Sequence, residues 1–410
     1  MVQRELYMEK FRRLINKDIV KVLVGIRRCG KSYMLNLLVN ELKNNFSVPK
    51  ENIVLINFES SKYRSIRNNI DLENYVNRIS QDLEGKIYLL FDEIQEIESW
   101  EKSINTFLID YDCDIYITGS NSKLLSGELA TYLTGRYIEI KIYPLSFMEF
   151  FEYKLDTSDE KFIDKDALFN DYLNHGGMPF TLQLDEEEDI YQYLLDTYNS
   201  ILYKDLLKRY PINNPDLIEQ LLEYIMTNVG NILSANNITN YLKHEKITTS
   251  NKTISNYLRY LENSSLIHKV RQENIKTKKL LSVNEKYYIT DQGFIKAIMG
   301  INDKNYGHIL ENIVFMELLR CGYDVYVGRS NTNEVDFVAR KNQTQIYVQV
   351  SYYMNTKETI EREFKLLENI KDNYPKYIVT MDKIDYSRNG IKHFNIIDFL
   401  MSLLKISHDE

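Results

Sequence analysis

The chain has few cysteines, no long apolar run and no clustered histidines. The three cysteines, Cys29, Cys113 and Cys321, lie far apart in 410 residues, so we interpret them as reduced thiols. The six histidines form no HxxxH or Cys/His cluster, which argues against a zinc site. No run of about eighteen apolar residues occurs, and the N-terminus lacks the apolar stretch of a signal peptide. We therefore expect a cytoplasmic protein without membrane contact.

The segment after the first apolar run has the pattern of a phosphate-binding loop. It reads G-x-x-x-x-G-K-S and lies between the apolar run Ile19–Val24 and the helical pattern Lys31–Lys43. The backbone N–H groups of such a loop attract phosphate, as does the start of the next helix. We expect Lys31 to reach the β- and γ-phosphates and Ser32 to bind Mg²⁺. The residues expected to contact the nucleotide are Gly25, Ile26, Arg27, Arg28, Cys29, Gly30, Lys31, Ser32 and Tyr33.

A second apolar run, Ile87–Phe91, is followed directly by two carboxylates, Asp92 and Glu93. Acidic residues at the carboxyl end of a buried parallel strand lie beside the phosphate loop. There Asp92 can hold Mg²⁺ through water, and Glu93 can orient or deprotonate the attacking water. The two motifs together predict hydrolysis of ATP or GTP. ATP is favoured because the chain has no Asn-Lys-x-Asp guanine motif.

Residues 1–145 alternate β-rich apolar runs with helical patterns, which predicts an α/β fold with a parallel sheet covered on both faces. The polar cluster Thr118–Asn121, which ends the fourth run, is either a plain turn or a contact to the γ-phosphate or the attacking water. The predicted strands are Ile19–Val24, Ile53–Phe58, Ile87–Phe91, Asp114–Thr118 and Tyr137–Tyr143, and the predicted helices are Lys31–Lys43, Leu72–Leu83, Ser99–Tyr111 and Ser122–Tyr132.

Residues 1–150 resemble an AAA+ P-loop ATPase core. The resemblance rests on GIRRCGKS as Walker A, YLLFDEIQ as Walker B, ITGSNSKLL as sensor 1 and the stretch LATYLTGRYIEIKIYPLSFMEF. It implies that Asn121 is the sensor residue and that Arg136 is an arginine finger reaching into a neighbouring subunit. An arginine there stabilises transition-state charge and couples hydrolysis to assembly. The family usually works as a ring, often a hexamer, so a homo-oligomer is expected.

Residues 151–230 have helical patterns, interrupted by two glycines and a proline in His175–Pro179, and we expect them to form a helical lid. Gly177-Met178-Pro179 matches a Gly-x-Pro that packs on the adenine base in the lids of signalling-type and archaeal-type P-loop ATPases. That resemblance implies that Pro179 contacts the nucleotide. A plain turn between helices is the alternative.

The charge changes sign in the next segment. Residues 234–290 contain ten Lys/Arg and four Glu, whereas the whole chain has a net charge of −8. A local basic surface on an acidic protein indicates a polyanion partner. Two helical patterns, Ser234–Lys243 and Ser250–Asn263, precede two strand-like runs, an order that suits a winged helix over 231–295. Protein–protein contact or mere solubility are the alternatives. The candidate DNA contacts are Lys252, Arg259, Lys276, Lys278 and Lys279.

Residues 296–410 resemble the restriction-endonuclease-like domain, of the PD-(D/E)xK type, that is fused to many bacterial and archaeal AAA+ ATPases. Glu311 and Asp336 match two of the acidic positions of that nuclease core. Gln349 and Ser351 stand where its E-x-K pair is expected. An amide is a weaker ligand for Mg²⁺ than a carboxylate, and serine cannot supply the cation. We therefore expect this α/β domain to be nuclease-like but inactive.

Three functions are compatible with these features. The first is an oligomeric DNA-binding motor or remodeller that hydrolyses ATP. The second is an ATP-dependent signalling or assembly switch that acts on a protein partner. The third is a defence nuclease with unorthodox metal ligands. The basic segment favours the first, and Gln349 and Ser351 disfavour the third.

Overall fold

The computed structural model describes residues 2–119, 133, 135–157, 164–300, 306–330 and 333–409, without the side chains of 282, 283 and 404–409. Contacts between residues divide the chain into two compact units. The first unit contains residues 1–143 together with 203–205 and 263–265. The second unit contains residues 144–202, 206–262 and 266–410. The predicted helix at Ser122–Tyr132 lies outside the described residues.

The first unit is built on a five-stranded sheet whose strands are all parallel and follow the order β2-β3-β4-β1-β5. The three inner strands are buried along their whole length, which explains why their residues are mostly apolar on both faces. The strands are β1 (Val20–Val24), β2 (Ile53–Asn57), β3 (Ile87–Asp92), β4 (Cys113–Gly119) and β5 (Tyr137–Lys141), and the helices are α1 (Glu5–Leu14), α2 (Lys31–Asn44), α3 (Asn69–Ser80) and α4 (Trp100–Asp110). This is the predicted α/β architecture, with strand ends that differ from the prediction by a few residues.

The second unit combines helices with an eight-stranded mixed sheet of order β13-β12-β11-β10-β9-β7-β8-β6. Its strands are β6 (Ile232–Leu233), β7 (Ile267–Asn274), β8 (Leu280–Ile289), β9 (Asp324–Ser330), β10 (Asn333–Lys341), β11 (Thr344–Val350), β12 (Lys376–Thr380) and β13 (Ile391–Asn395). Its helices are α5 (Phe147–Thr157), α6 (Lys165–His175), α7 (Glu187–Ser200), α8 (Pro215–Thr227), α9 (Ala235–His244), α10 (Asn251–Asn263), α11 (Gly293–Met299), α12 (Tyr306–Arg320), α13 (Lys357–Glu368) and α14 (Ile396–Asp409). A π-helical turn spans Ile201–Leu207, of which residues 203–205 are assigned to the first unit.

The β7–β8 hairpin lies inside this sheet. Strand β7 pairs antiparallel with β8 on one side and parallel with β9 on the other, while β6 covers the far edge of β8. The predicted boundary at residue 295 therefore falls within one compact unit and between strands of one sheet. None of the described helices is long and apolar enough to cross a membrane.

Candidate nucleotide site

The phosphate loop joins β1 to α2, and its glycines fit positions that other residues cannot occupy. A Cβ on Gly25 would lie 2.1 Å from the carbonyl oxygen of Ile142. Gly30, which precedes the first turn of α2, has a φ of 105° in the left-handed region. The Lys31 ammonium is buried and donates to the carbonyl oxygens of Gly25 and Ile26, both at 3.0 Å. The loop is thus tightly packed around the Lys31 ammonium, and the contact of Lys31 with phosphates stays a prediction.

Arg4 holds this loop from the N-terminal side. Arg4 is buried, and its guanidinium donates to the carbonyl oxygens of Cys29, at 3.1 Å, and Tyr143, at 2.8 Å. The Cys29 thiol donates to the carbonyl oxygen of Ile142, and burial raises the pKa of that thiol. Because the Cys29 carbonyl is fixed, the following N–H group is fixed as well. Arg4 is thus a positioning residue for the phosphate loop.

The two predicted acidic residues lie at the carboxyl end of β3, and Thr118 connects them. The Thr118 hydroxyl donates to Asp92 Oδ1 at 2.6 Å and accepts from the backbone N–H of Glu93 at 3.0 Å. Asn57, at the end of β2, donates to Asp92 Oδ2 at 2.8 Å. The Glu93 carboxylate accepts from the side-chain amide of Gln95, and the backbone of Glu93 is left-handed, with a φ of 54°. Three neighbouring strands therefore orient the acidic pair.

The site has the ligand types that a nucleotide-bound magnesium ion requires. Burial raises the pKa of Asp92, while hydrogen bonds from the Thr118 and Ser32 hydroxyls act in the opposite direction. The Ser32 hydroxyl is thus close enough to Asp92 to lower its pKa, and the binding of Mg²⁺ by these two residues stays a prediction. Magnesium in such sites takes one or two protein oxygens and completes its shell with water and phosphate oxygens. Among the described residues, no group of three or more His, Cys, Asp or Glu side chains is arranged to hold a metal ion.

Arg27, also in the loop, points to two carboxylates of the first unit. Its guanidinium lies 3.3 Å from Asp205, whose side chain is 1% exposed, and 3.5 Å from Glu59. Burial acts to lower the pKa of Arg27, but the attraction of Asp205 outweighs it and the pKa is raised. Arg27, which was expected to contact the nucleotide, is thus ion-paired within the first unit, and its contact with the nucleotide stays a prediction.

Two full-length relatives resemble the chain in sequence. An uncharacterized protein of Haemophilus influenzae is 39% identical over 406 residues, which cover 98% of this chain and 99% of that protein. An uncharacterized protein of Methanocaldococcus jannaschii is 32% identical over 411 residues, covering 96% and 90%. The chain belongs to the family of these two proteins.

The first part of the chain also matches a family model described as an AAA domain, over residues 17–151. Two models of domains of unknown function match residues 166–305 and 306–399. The Walker-type ATPase of Pyrococcus abyssi has a similar fold, with a TM-score of 0.50 and 15% identity over 72% of this chain and 95% of that one. The N-terminal domain is therefore an AAA+ P-loop ATPase domain, as the motifs predicted.

Three further residues were predicted for the AAA domain, and the structure describes two of them, Arg136 and Tyr33. Arg136 is exposed just before β5, and its guanidinium donates to Asn105 Oδ1 at 2.8 Å. Tyr33 on α2 donates its hydroxyl to the carbonyl oxygen of Val2 at 2.8 Å. Asn121 lies outside the described residues. The roles of Arg136 and Asn121 stay predictions.

Pro179 belongs to the second unit, where it begins the 3-10 turn Pro179–Gln183. The glycines before it have tightly fixed backbones. The N–H of Gly177 donates to Asp291 Oδ2 at 2.8 Å, and its carbonyl accepts from Leu145 N at 2.7 Å. Burial raises the pKa of Asp291 to about 6. The contact of Pro179 with adenine stays a prediction.

The predicted DNA contacts lie on one helix and one turn of the second unit. Lys252 and Arg259 are exposed on α10, and the Arg259 guanidinium lies 5.8 Å from the centre of the Tyr260 ring. The turn between β7 and β8 carries three exposed lysines, Lys276, Lys278 and Lys279. Lys286, which the sequence grouped with this basic segment, is instead buried beside Glu311 and Asp336.

Gln349 and Ser351 have structural contacts at the end of β11. The Gln349 carbonyl oxygen Oε1 accepts from the backbone N–H of Asp336 at 3.2 Å. The N–H of Ser351 donates to the carbonyl of Val379 at 3.1 Å.

Sequence reasoning missed the contact of Lys286 with Asp336 because Lys286 lies 50 positions earlier on a different strand.

Proposed function

We propose that this protein hydrolyses ATP with Mg²⁺ at the phosphate loop and uses the reaction to drive an oligomer that acts on DNA. The observation that supports hydrolysis best is the Thr118 hydroxyl, which joins Asp92 to the backbone of Glu93. This geometry brings the two carboxylates and the start of α2 to one edge of the sheet, as phosphoryl transfer requires.

Each residue has a distinct role in this proposal. The N–H groups of the loop and the start of α2 bind the phosphates, with Lys31 turning from the loop carbonyls to the β- and γ-phosphates. Ser32 and Asp92 hold the Mg²⁺ ion, which neutralises phosphate charge when it is bound. Glu93 orients the attacking water and accepts its proton, and Thr118 and Asn57 keep the acidic pair in place.

The proposal of an oligomer rests on Arg136, the expected arginine finger. If its guanidinium completes a neighbour's site, Arg136→Ala lowers turnover by roughly 10³-fold or more. When this variant is mixed with wild-type subunits, the total activity then falls more steeply than the fraction of wild-type subunits. The matched control is Asn105→Ala, which removes the intrachain partner of Arg136 and keeps the guanidinium. Activity that falls linearly on mixing, or an equal loss in Asn105→Ala, refutes a shared site.

DNA binding is proposed from the order of elements in the second unit. Helix α8, β6, helices α9 and α10 and the β7–β8 hairpin follow one another as in a winged helix, with α10 as the recognition helix. The exposed face of α10 carries Lys252, Ser255 and Arg259, which suits contact with phosphates and base edges. The lysine-rich hairpin turn is the proposed wing tip.

We expect DNA to stimulate ATP turnover, and we expect the Lys252→Ala/Arg259→Ala pair to weaken DNA binding. Each lost phosphate contact reduces the salt dependence of binding, so the slope of log K against log salt falls by about 0.9 per contact. Fluorescence anisotropy at several salt concentrations measures it. The control pair is Lys357→Ala/Lys365→Ala, two exposed lysines of α13. If duplex, forked and single-stranded DNA all leave turnover at its basal rate, the DNA proposal is wrong and a switch acting on a protein partner takes its place.

A further inference from the structure

A buried lysine lies at the centre of a carboxylate cluster in the second unit. Lys286 on β8 is 3% exposed, and its ammonium lies 2.8 Å from Glu311 Oε1, 2.9 Å from Glu334 Oε1 and 3.3 Å from Asp336 Oδ1. Glu334 and Asp336 are two residues apart on β10, so they share one face of the strand. Glu311 reaches the same point from α12. Three anionic side chains from two elements thus converge on one cation from a third.

The other donors and acceptors of the cluster are directed to protein groups. The Tyr288 hydroxyl donates to Glu311 Oε1 at 2.6 Å. The backbone N–H of Val350 donates to Asp336 Oδ2 at 3.0 Å, and the Gln272 amide donates to Glu334 Oε2 at 3.1 Å. These contacts hold the carboxylates in place around the ammonium.

The cluster is also covered by backbone. Gly230 has a φ of 74°, and a Cβ at this position would lie 2.8 Å from Glu311 Oε2. His308, at the start of α12, lies 3.9 Å from the same carboxylate oxygen. On the side of Gly230 the Glu311 carboxylate therefore faces the chain itself.

The ammonium and the carboxylates of this cluster shift each other's pKa values. Burial alone acts to lower the pKa of Lys286, but the three carboxylates outweigh burial and the pKa is raised. Burial, together with repulsion from Glu311, raises the pKa of Asp336. Buried carboxylates are costly unless a cation compensates them. One ammonium therefore stabilises a set of anions that would otherwise repel each other.

We propose that Lys286 is a resident cation that occupies the position a divalent metal ion would take among Glu311, Glu334 and Asp336. Hard divalent cations bind carboxylate oxygens, and these three side chains provide such oxygens from three directions. The ammonium also ties the β7–β8 hairpin to α12 and β10. The cluster is thus a cation site that is closed to metal ions by the chain's own lysine. The inference is independent of ATP hydrolysis, because all its residues lie in the second unit.

The test measures Mn²⁺ binding by electron paramagnetic resonance in the nucleotide-free full-length protein. We expect Lys286→Ala to bind one more Mn²⁺ ion per chain than the wild type, and we expect Asp336→Asn to abolish that extra ion in the Lys286→Ala background. The matched control is Lys269→Ala on β7, whose ammonium also faces carboxylates, Glu285 and Glu262, but at 3.5 and 3.9 Å and with partly exposed partners. All variants have the same phosphate loop, so any Mn²⁺ bound there does not contribute to the difference in bound ions between a variant and the wild type.

Two results overturn the inference. One is that the wild-type protein binds an Mn²⁺ ion that the single variant Asp336→Asn does not bind. In that case the lysine does not close the site. The other is a folded Lys286→Ala protein that gains no ion.

A second variant covers the case in which Lys286→Ala does not fold. Lys286→Ala/Glu334→Gln removes the most exposed of the three carboxylates and keeps Glu311 and Asp336 as ligands. It lowers the repulsion, and we expect its melting temperature to rise with added Mn²⁺ while that of Lys269→Ala does not. If both Lys286 variants stay unfolded with Mn²⁺ present, or if the folded double variant binds no additional ion, a divalent ion cannot replace the ammonium and the inference is wrong.

Discussion

Glu93→Gln leaves ATP binding intact and lowers ATP turnover by roughly 10²- to 10⁴-fold, the range expected for loss of a general base. The amide has the size and shape of the carboxylate and keeps the backbone N–H bond to Thr118. It cannot accept a proton from water. The substitution thus affects the chemical step and not the phosphate cradle. Single-turnover hydrolysis together with equilibrium binding of ATP measures the two effects separately.

Two controls define this result. Glu96→Gln changes an exposed carboxylate three residues away, in the same turn, and we expect wild-type turnover. Lys31→Ala removes the ammonium that reaches the phosphates, and we expect ATP binding itself to be lost. Normal turnover by Glu93→Gln would remove Glu93 from the mechanism, and loss of ATP binding by that variant would assign it a structural role.

The sequence predicted the first unit well because its motifs and periodicity are local. Buried parallel strands produce continuous apolar runs, and the phosphate loop is defined by residues adjacent in the chain. The strands β1 to β4 and the helix α2 lie within a few residues of their predicted positions. The acidic residues Asp92 and Glu93 are at the predicted end of β3.

The residues that orient the nucleotide site could not be assigned in this way, because their partners are distant in sequence. Arg4 contacts Cys29 and Tyr143 across 25 and 139 positions, and Arg27 contacts Asp205 across 178. Asn57 did carry a signal, since it is a polar residue at the carboxyl end of a predicted strand beside β3. That position alone makes it a neighbour of Asp92.

The second unit shows a different limit of sequence reasoning. The two helices and two strands predicted between residues 234 and 290 are present, but the parallel pairing of β7 with β9 was not predicted. Pairing between strands separated by a helix leaves no periodic signal in either strand. For the same reason Lys286 was assigned to a basic surface, although its side chain is directed to Glu311. A lysine at an inward position of a strand is the only signal that could have indicated a buried partner.

Lys21, a buried lysine of the first unit, forms a buried ion pair, and its loss is expected to have the largest effect on stability. Lys21 lies in the middle of β1 with its side chain 0% exposed, and it forms an ion pair with Asp114 on β4, whose side chain is 1% exposed. The ammonium also donates to the carbonyl of Lys17 at 2.7 Å, and Asp114 accepts from the N–H of Asn16 at 2.8 Å. The pair is thus buried and well hydrogen-bonded, between two inner strands of the sheet.

We expect Lys21→Met to destabilise the first unit by about 3–5 kcal/mol, because it leaves the Asp114 carboxylate buried without its cation. Scanning calorimetry resolves the transition that shifts. The matched control is Lys86→Met, which breaks an exposed ion pair with Asp112 at 2.8 Å, just before β3 and β4. Its expected cost is at most about 1 kcal/mol.

The double variant Lys21→Met/Asp114→Leu distinguishes an unpaired charge from lost packing. An apolar pair of similar volume removes both charges, so it should be more stable than Lys21→Met alone. If the double variant is instead less stable by the sum of the two single losses, the pair does not act as a unit. The cost of Lys21→Met would then come from packing between β1 and β4, and the ion pair would contribute nothing to the stability of the sheet that supports the nucleotide site.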